Sequence, residues 1–229
     1  DYPGFGNSSM PALEDFDYTF DNLSNVVGSF LDHLEIDRYS IYMMDYGGPV
    51  GFRLATRHPE RVESLIIQNA NAYEEGLREF WVPFRAYWDD RSATNEAALR
   101  KFLAVGATKW QWTHGVGDPQ TISPDTWAVD QFYLDRAGNQ DIQLALFYDY
   151  RSNLPLYPEW QEYFRRFQPP TLIVWGANDQ IFPPDGAHPF RRDLKNVEFH
   201  LLETGHFALE EFGEFIADRI VDFVSRYTS

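Results

Sequence analysis

Three ionisable side chains are spaced so that they could act together on one substrate. Asp45 stands in Met43-Met44-Asp45-Tyr46-Gly47-Gly48, straight after the apolar run 39–44 and straight before a helix-like segment. A side chain on a sharp strand-to-helix turn is held out at the end of a sheet, where a nucleophile can be reached. Gly47 and Gly48 are small enough for the next helix to pack closely under the turn, and the Tyr46 amide would point at the reacting centre as an oxyanion donor. Asp179 follows the apolar run 171–175, in Trp175-Gly176-Ala177-Asn178-Asp179-Gln180-Ile181-Phe182-Pro183. His206, in Glu203-Thr204-Gly205-His206-Phe207, lies between the run 197–202 and a final amphipathic segment. Each has a plainer use when taken singly. Asp45 could cap a helix, Asp179 could shape a turn, and His206 could sit at the surface. Together they read nucleophile, acid, histidine, each just beyond a strand-like run, where the working groups of open α/β sheets lie. His33, His58, His114, His188 and His200 lack this setting or an ordered partner, although His114 and His188 fall in loops.

The nucleophile type restricts the reaction. A carboxylate that attacks an acyl carbon makes a high-energy anhydride. At a saturated carbon bearing a leaving group it makes an alkyl ester, which water can then cleave. No Gly-x-Ser-x-Gly occurs, and Ser8, Ser9 and Ser40 are not in an elbow setting, so a serine esterase is disfavoured.

The elements that must position these groups are legible as periodicity. Leu23, Val26, Val27, Phe30, Leu31 and Leu34 follow helical spacing after Thr19 or Asp21 as the cap. Runs 39–44 and 62–68 read as buried strands flanking a helix over 48–58, with Pro49 tolerated in its first turn. Strand, helix, strand within so short a span is a βαβ unit and implies a parallel sheet. Residues 72–168 differ. Phe80, Trp81, Phe84, Tyr87 and Trp88 form an aromatic stripe, and helix-like stretches follow near 95–105, 125–135 and 140–152. This segment reads as a helical cap, with 1–71 and 169–229 as the core. Strands over 171–175 and 197–202 and a helix over 207–226 complete the α/β pattern.

Composition narrows the partners. The 229 residues, 44% of them hydrophobic, suit one core with an insertion. A formal net charge of −16 repels phosphate backbones and anionic lipid, so neither nucleic acid nor membrane is an expected partner. No run approaches the ~20 apolar residues of a membrane span. With no signal-peptide pattern at the start, the cytoplasm is the expected compartment. The absence of Cys removes disulfides and thiolate chemistry. No cofactor or metal is expected, and the partner is a small-molecule substrate.

These motifs together resemble the α/β-hydrolase superfamily, in the branch of haloalkane dehalogenases and epoxide hydrolases. Asp1-Tyr2-Pro3-Gly4-Phe5-Gly6-Asn7-Ser8 resembles that branch's loop after its fourth strand, Asp45-Tyr46-Gly47-Gly48-Pro49 its nucleophile turn, and His58-Pro59-Glu60-Arg61-Val62 its link into the sixth strand. The stretches holding Asp179 and His206 resemble its acid and histidine loops. The resemblance implies Asp45 as nucleophile, His206 as activator of water and Asp179 as the group that orients the histidine. Three features depart from the pattern. Tyr46 stands where Trp is usual, Met43 where a small or β-branched residue is common, and the chain begins at the end of the family's fourth strand. The first four strands and a second oxyanion amide are therefore expected to be missing, with an exposed edge at 39–44, so the chain alone is expected to be poorly soluble, a homodimer through that edge, or inactive. A non-catalytic ligand-binding member of the fold is the alternative. The family's other acid position falls in Gln68-Asn69-Ala70-Asn71, which has no carboxylate; Asn69 and Asn71 line the pocket there or simply form the loop.

The leaving group sets the substrate. A halide needs N–H donors such as an indole, and an epoxide oxygen needs an acid such as a tyrosine. Tyr46 in place of Trp removes one halide donor and favours oxygen. Tyr148, then Tyr150, are the expected pocket hydroxyls, and Trp81 is the expected aromatic contact.

Overall fold

The computed structural model describes residues 1–227. Four strands, β1 (Tyr39–Met44), β2 (Val62–Gln68), β3 (Thr171–Gly176) and β4 (Val197–Leu202), form one all-parallel sheet in the order β1-β2-β3-β4. The strand ends are in step. Met44 pairs with Gln68, Gln68 with Val174, and Gly176 with Leu202, so the following loops open on one side of the sheet. All of β3 is buried, which is why it reads as an unbroken apolar run.

Alternation along the strands divides two cores. Leu65, Ile67, Ile173 and Trp175 face one layer, where Phe52 of α2 (Gly47–Arg57), Trp160 and Phe164 of α8 (Tyr157–Phe167) and Phe190 of α9 (Phe190–Asp193) meet ring against ring. Ile66, Leu172 and Val174 face α10 (Leu209–Tyr227) through Ala208, Ile216 and Phe223. Helix α1 (Phe20–His33) packs on α2, and the Thr19 side chain accepts from the Asn22 amide as its cap. Helix α10 starts later than the sequence suggested, at Leu209, and kinks at Phe212.

Between β2 and β3 lie α3 (Val82–Asp89), α4 (Ala93–Arg100), α5 (Val105–Thr113), α6 (Pro124–Leu134), α7 (Asn139–Asp149) and α8. No strand occurs there. Two helices beyond those expected are present. In α5 the periodicity is blurred by Gly106 and by apolar residues on all sides. In α8 Tyr157, Trp160, Tyr163 and Phe164 make a buried aromatic stripe that packs toward α2 and α9. No helix of the described residues is long and apolar enough to cross a membrane.

Candidate active site

The turn after β1 puts Asp45 at φ +47°, in the left-handed region that a residue with a side chain enters at a cost of ~1 kcal/mol. Two backbone bonds hold it there. The Asp45 amide donates to the Asn69 carbonyl at 3.3 Å, and the Asp45 carbonyl accepts from the Gly48 amide at 2.9 Å. Helix α2 begins at once, with Tyr46 as its cap residue. The Gly48 amide is thus taken, while those of Tyr46 and Gly47 have no partner among the described residues and are free to face negative charge at the turn. Gly48 permits this closeness, because a Cβ there would lie 2.9 Å from the Ala70 Cβ.

The loops after β3 and β4 bring Asp179 and His206 to the same place. The two loops stack where neither can carry a side chain. A Cβ on Gly176 would meet the Gly205 carbonyl at 1.9 Å, and one on Gly205 would meet the His114 carbonyl at 1.9 Å. His206 Nδ1 lies 2.8 Å from Asp179 Oδ2, and His206 Nε2 lies 2.9 Å from Asp45 Oδ2. Both ring nitrogens thus face carboxylate oxygens, which only accept, so both must donate and the ring is an imidazolium. Burial disfavours that charge, but Asp179 and then Asp45 outweigh it and raise the pKa from 6.5 to about 10.

Four donors converge on Asp179. The amides of Ile181 and Phe182 reach Oδ1 at 2.8 and 3.2 Å, and Asn69 Nδ2 reaches Oδ2 at 2.7 Å beside the imidazole. Asn69 is the functional residue whose place the sequence left open. It is fully buried, has φ +42°, and its Oδ1 accepts from the Gly176 amide at 3.2 Å. Through its carbonyl and its side chain it ties the Asp45 turn to Asp179. Asn71 instead donates to the Tyr73 carbonyl and the Tyr157 hydroxyl.

A cavity of about 690 Å³ opens in front of Asp45, lined by the 1–7 loop, the Asp45 turn and helices α3, α5, α6 and α7. Trp81 lines it with its ring, as expected, but its N–H is spent on the Ile181 carbonyl at 2.7 Å. Tyr148 and Tyr150 are not among the lining residues, and this corrects the expected pocket hydroxyls. The Tyr148 ring sits between the guanidiniums of Arg151 at 3.6 Å and Arg91 at 4.4 Å. Tyr150 is buried behind the wall, its ring 4.3 Å from that of Trp81. The cavity-facing residues of α7 are Asn139, Gln143 and Phe147, four apart, and Tyr148 lies a further step round the helix. The tyrosines that do line the cavity are Tyr2, Tyr46 and Tyr133. A methyl group on Gly47 would lie 4.0 Å from the Tyr2 hydroxyl, which places that hydroxyl over the nucleophile turn. Burial pushes the Tyr2 phenol up to about 12, so it keeps its proton at neutral pH. His114 stacks on Trp110 and His188 on Phe199. Among the described residues no group of three or more His, Asp or Glu could hold a metal ion.

The chain is similar to several known proteins. An uncharacterized hydrolase of Saccharomyces cerevisiae is 40% identical over 227 residues, covering 96% of this chain and 77% of the yeast protein. Haloalkane dehalogenase 2 of Mycobacterium tuberculosis is 39% identical over 69 residues, covering 30% of this chain and 23% of that protein. The crystal structure of a haloalkane dehalogenase point mutant from Agrobacterium tumefaciens superposes with a TM-score of 0.74 at 20% identity, covering 99% of this chain and 79% of that one. The model of the alpha/beta hydrolase fold matches residues 1–212, and the chain belongs to that family.

Proposed function

We propose that the protein hydrolyses a small electrophile with an oxygen leaving group, an epoxide, through an alkyl ester on Asp45. The observation that carries this reading is the Asp45 carboxylate on its strained turn, 2.9 Å from His206 Nε2 and with no serine or cysteine in its place. An Asp45 oxygen attacks a ring carbon, the carbon–oxygen bond of the epoxide breaks, and the oxygen takes a proton from the Tyr2 hydroxyl, which solvent later restores. Esterification removes the negative charge of Asp45. His206 then loses one of the two anions that hold its second proton, gives that proton up to solvent, and the neutral ring becomes a base for water. Water adds to the Asp45 carbonyl carbon and gives its proton to His206 Nε2. The anion that forms faces the first amides of α2, and donors of this kind are each worth ~10²–10³-fold in rate. The intermediate collapses, His206 returns the proton to the departing alkoxide, and a diol leaves while Asp45 retains one oxygen from water.

The preference for oxygen over halide rests on the indoles. Trp81 is the only tryptophan among the described residues lining the cavity, and its N–H is already donated to Ile181. We further take the helices between β2 and β3 as a cap over the sheet. The test is a single turnover of an aryl epoxide in water enriched in heavy oxygen. Label should appear in the tryptic peptide carrying Asp45, and His206→Asn should accumulate the alkyl ester on that peptide. Label only in the diol, with no ester in the variant, rules the ester mechanism out in favour of direct attack by water, and no diol at all leaves a ligand-binding role.

A further inference from the structure

The cavity is apolar on most of its surface, and the charged side chains among its described lining residues are all acidic. Phe80, Phe84, Phe102, Phe147 and Phe182 join Trp81 in its walls. No Lys, Arg or His is among the described lining residues, whereas Asp1, Asp45 and Asp130 are. Two of these carboxylates have partners that account for them. Asp45 is paired with His206, and Asp1 accepts from the Asn7 amide.

Asp130 is different. It lies on α6, half buried, and accepts one hydrogen bond, from Trp112 Nε1 at 2.8 Å. Among the described residues it forms no ion pair within 4 Å. Burial raises its pKa, opposed only by the Trp112 bond, with no cation acting on it. The basic side chains nearby in sequence are committed elsewhere. The Lys109 ammonium lies 5.1 Å from the Trp127 ring centroid, and Arg136 donates to the carbonyls of Gly4 and Gly6 at 2.9 and 3.1 Å. The wall beside Asp130 continues into the catalytic loop, because Trp112 stacks on Phe207 at 3.8 Å.

A carboxylate partly removed from water with one neutral donor has acceptor capacity left over, and a charged donor satisfies it best. The surrounding ring faces attract a cation as well. An anion brought into the same enclosure is repelled more strongly than it would be in water. We propose that Asp130 is a specificity-determining residue, which makes this cavity favour ligands with an apolar body and an ammonium head group over ligands with a carboxylate. The proposal rests on reading the cavity as the substrate site, but it is independent of the ester mechanism.

Unreactive ligands therefore test it. Phenylbutylammonium, phenylbutanol and phenylbutyrate share a body and differ in the head group. Their affinities would be measured by calorimetric titration at neutral pH for the wild type, Asp130→Asn and Asp130→Glu. The wild type should favour the ammonium over the carboxylate by ~10-fold or more. Asp130→Asn should reduce that ratio to roughly threefold or less while holding phenylbutanol within about threefold of the wild type. Asp130→Glu, which keeps the charge, should keep the preference. Equal binding of the two charged ligands by the wild type, no binding of any of the three, or an unchanged ratio in Asp130→Asn would overturn the proposal. Failure of the Asp45 ester to form in the labelling experiment would leave this ratio standing.

Discussion

The strand-end loops and the helices between β2 and β3 both build the site, but they use their polar atoms in opposite ways. In the loops the polar atoms around His206 are aimed at one another. Asp179 takes four donors, and His206 is held between two carboxylates while only 3% exposed. In the helices several polar groups turn away, although Asp130, Asn139 and Gln143 line the cavity. The Trp81 N–H goes to the Ile181 carbonyl, the Trp88 N–H to the Phe147 carbonyl, and the Tyr148 ring to two arginines. What these helices present to the cavity is a mixture of aromatic rings, such as those of Phe84 and Phe147, with aliphatic and a few polar side chains. On the proposed mechanism the bond-making geometry is held by the strand-end loops, while the choice of substrate is left to walls that can be recut without disturbing it.

If that division holds, the largest losses must come from the loops. Asp45→Asn keeps the shape of the turn and removes the nucleophile. Turnover of an epoxide should fall by ~10⁴-fold or more, with the circular dichroism spectrum unchanged. A variant that retains activity would move the chemistry off Asp45.

Asn69→Ala probes the next level. It removes the Nδ2 donor that reaches Asp179 at 2.7 Å and leaves the Gly176 amide without its Oδ1 acceptor. A hydrogen bond to a charged group is worth ~1.5–3 kcal/mol, so kcat should fall by roughly 10–100-fold. A positioning role predicts that the fall lies in kcat with KM held. Asp179, less well satisfied, should also hold the His206 proton more tightly and shift the pH profile upward. A loss of thermal stability alone, with the profile unmoved, would make Asn69 merely structural.

The core was largely legible in the sequence because burial on both faces leaves unbroken apolar runs, and β1, β2 and β4 have the expected bounds. Asp45, Asp179 and His206 were legible for the same reason, since each follows such a run. Asn69 was not. An asparagine after a strand is ordinarily a loop former, and only its positive φ and full burial show that it binds two loops together. Tyr148 failed for a different reason. The sequence reads a helix near 140–152, but which stripe meets the cavity depends on how α7 lies against α3, α4 and α6. That packing selects Asn139, Gln143 and Phe147.

A smaller effect distinguishes the two carboxylates of the site. The folded His206 pKa of about 10 stands above the ordinary 6.5. The paired imidazolium therefore stabilises the fold fully below that ordinary value, and the contribution is lost as pH rises through about 10. In Asp45→Asn one of the two anions is gone, so the imidazole resonances should titrate at lower pH than in the wild type. The loss of stability should begin correspondingly earlier on the alkaline side. An unmoved titration would mean that Asp179 alone holds the proton, and esterification of Asp45 could not then release it for the hydrolytic step.

The finest test compares two tyrosine hydroxyls. Tyr2→Phe removes the hydroxyl that stands over the nucleophile turn and should lower kcat for an epoxide by ~10–100-fold, the usual worth of a positioned acid being at least of that order. Tyr148→Phe removes a hydroxyl from a ring whose packing against Arg91 and Arg151 depends on the ring face, so turnover should stay within about threefold. The reverse outcome, with Tyr148→Phe costly and Tyr2→Phe silent, would require α7 to rotate about its axis during turnover and bring Tyr148 round to where Phe147 now sits. The helices would then be contributing chemistry as well as walls, and the division between a fixed catalytic half and an adaptable binding half would not describe the working enzyme.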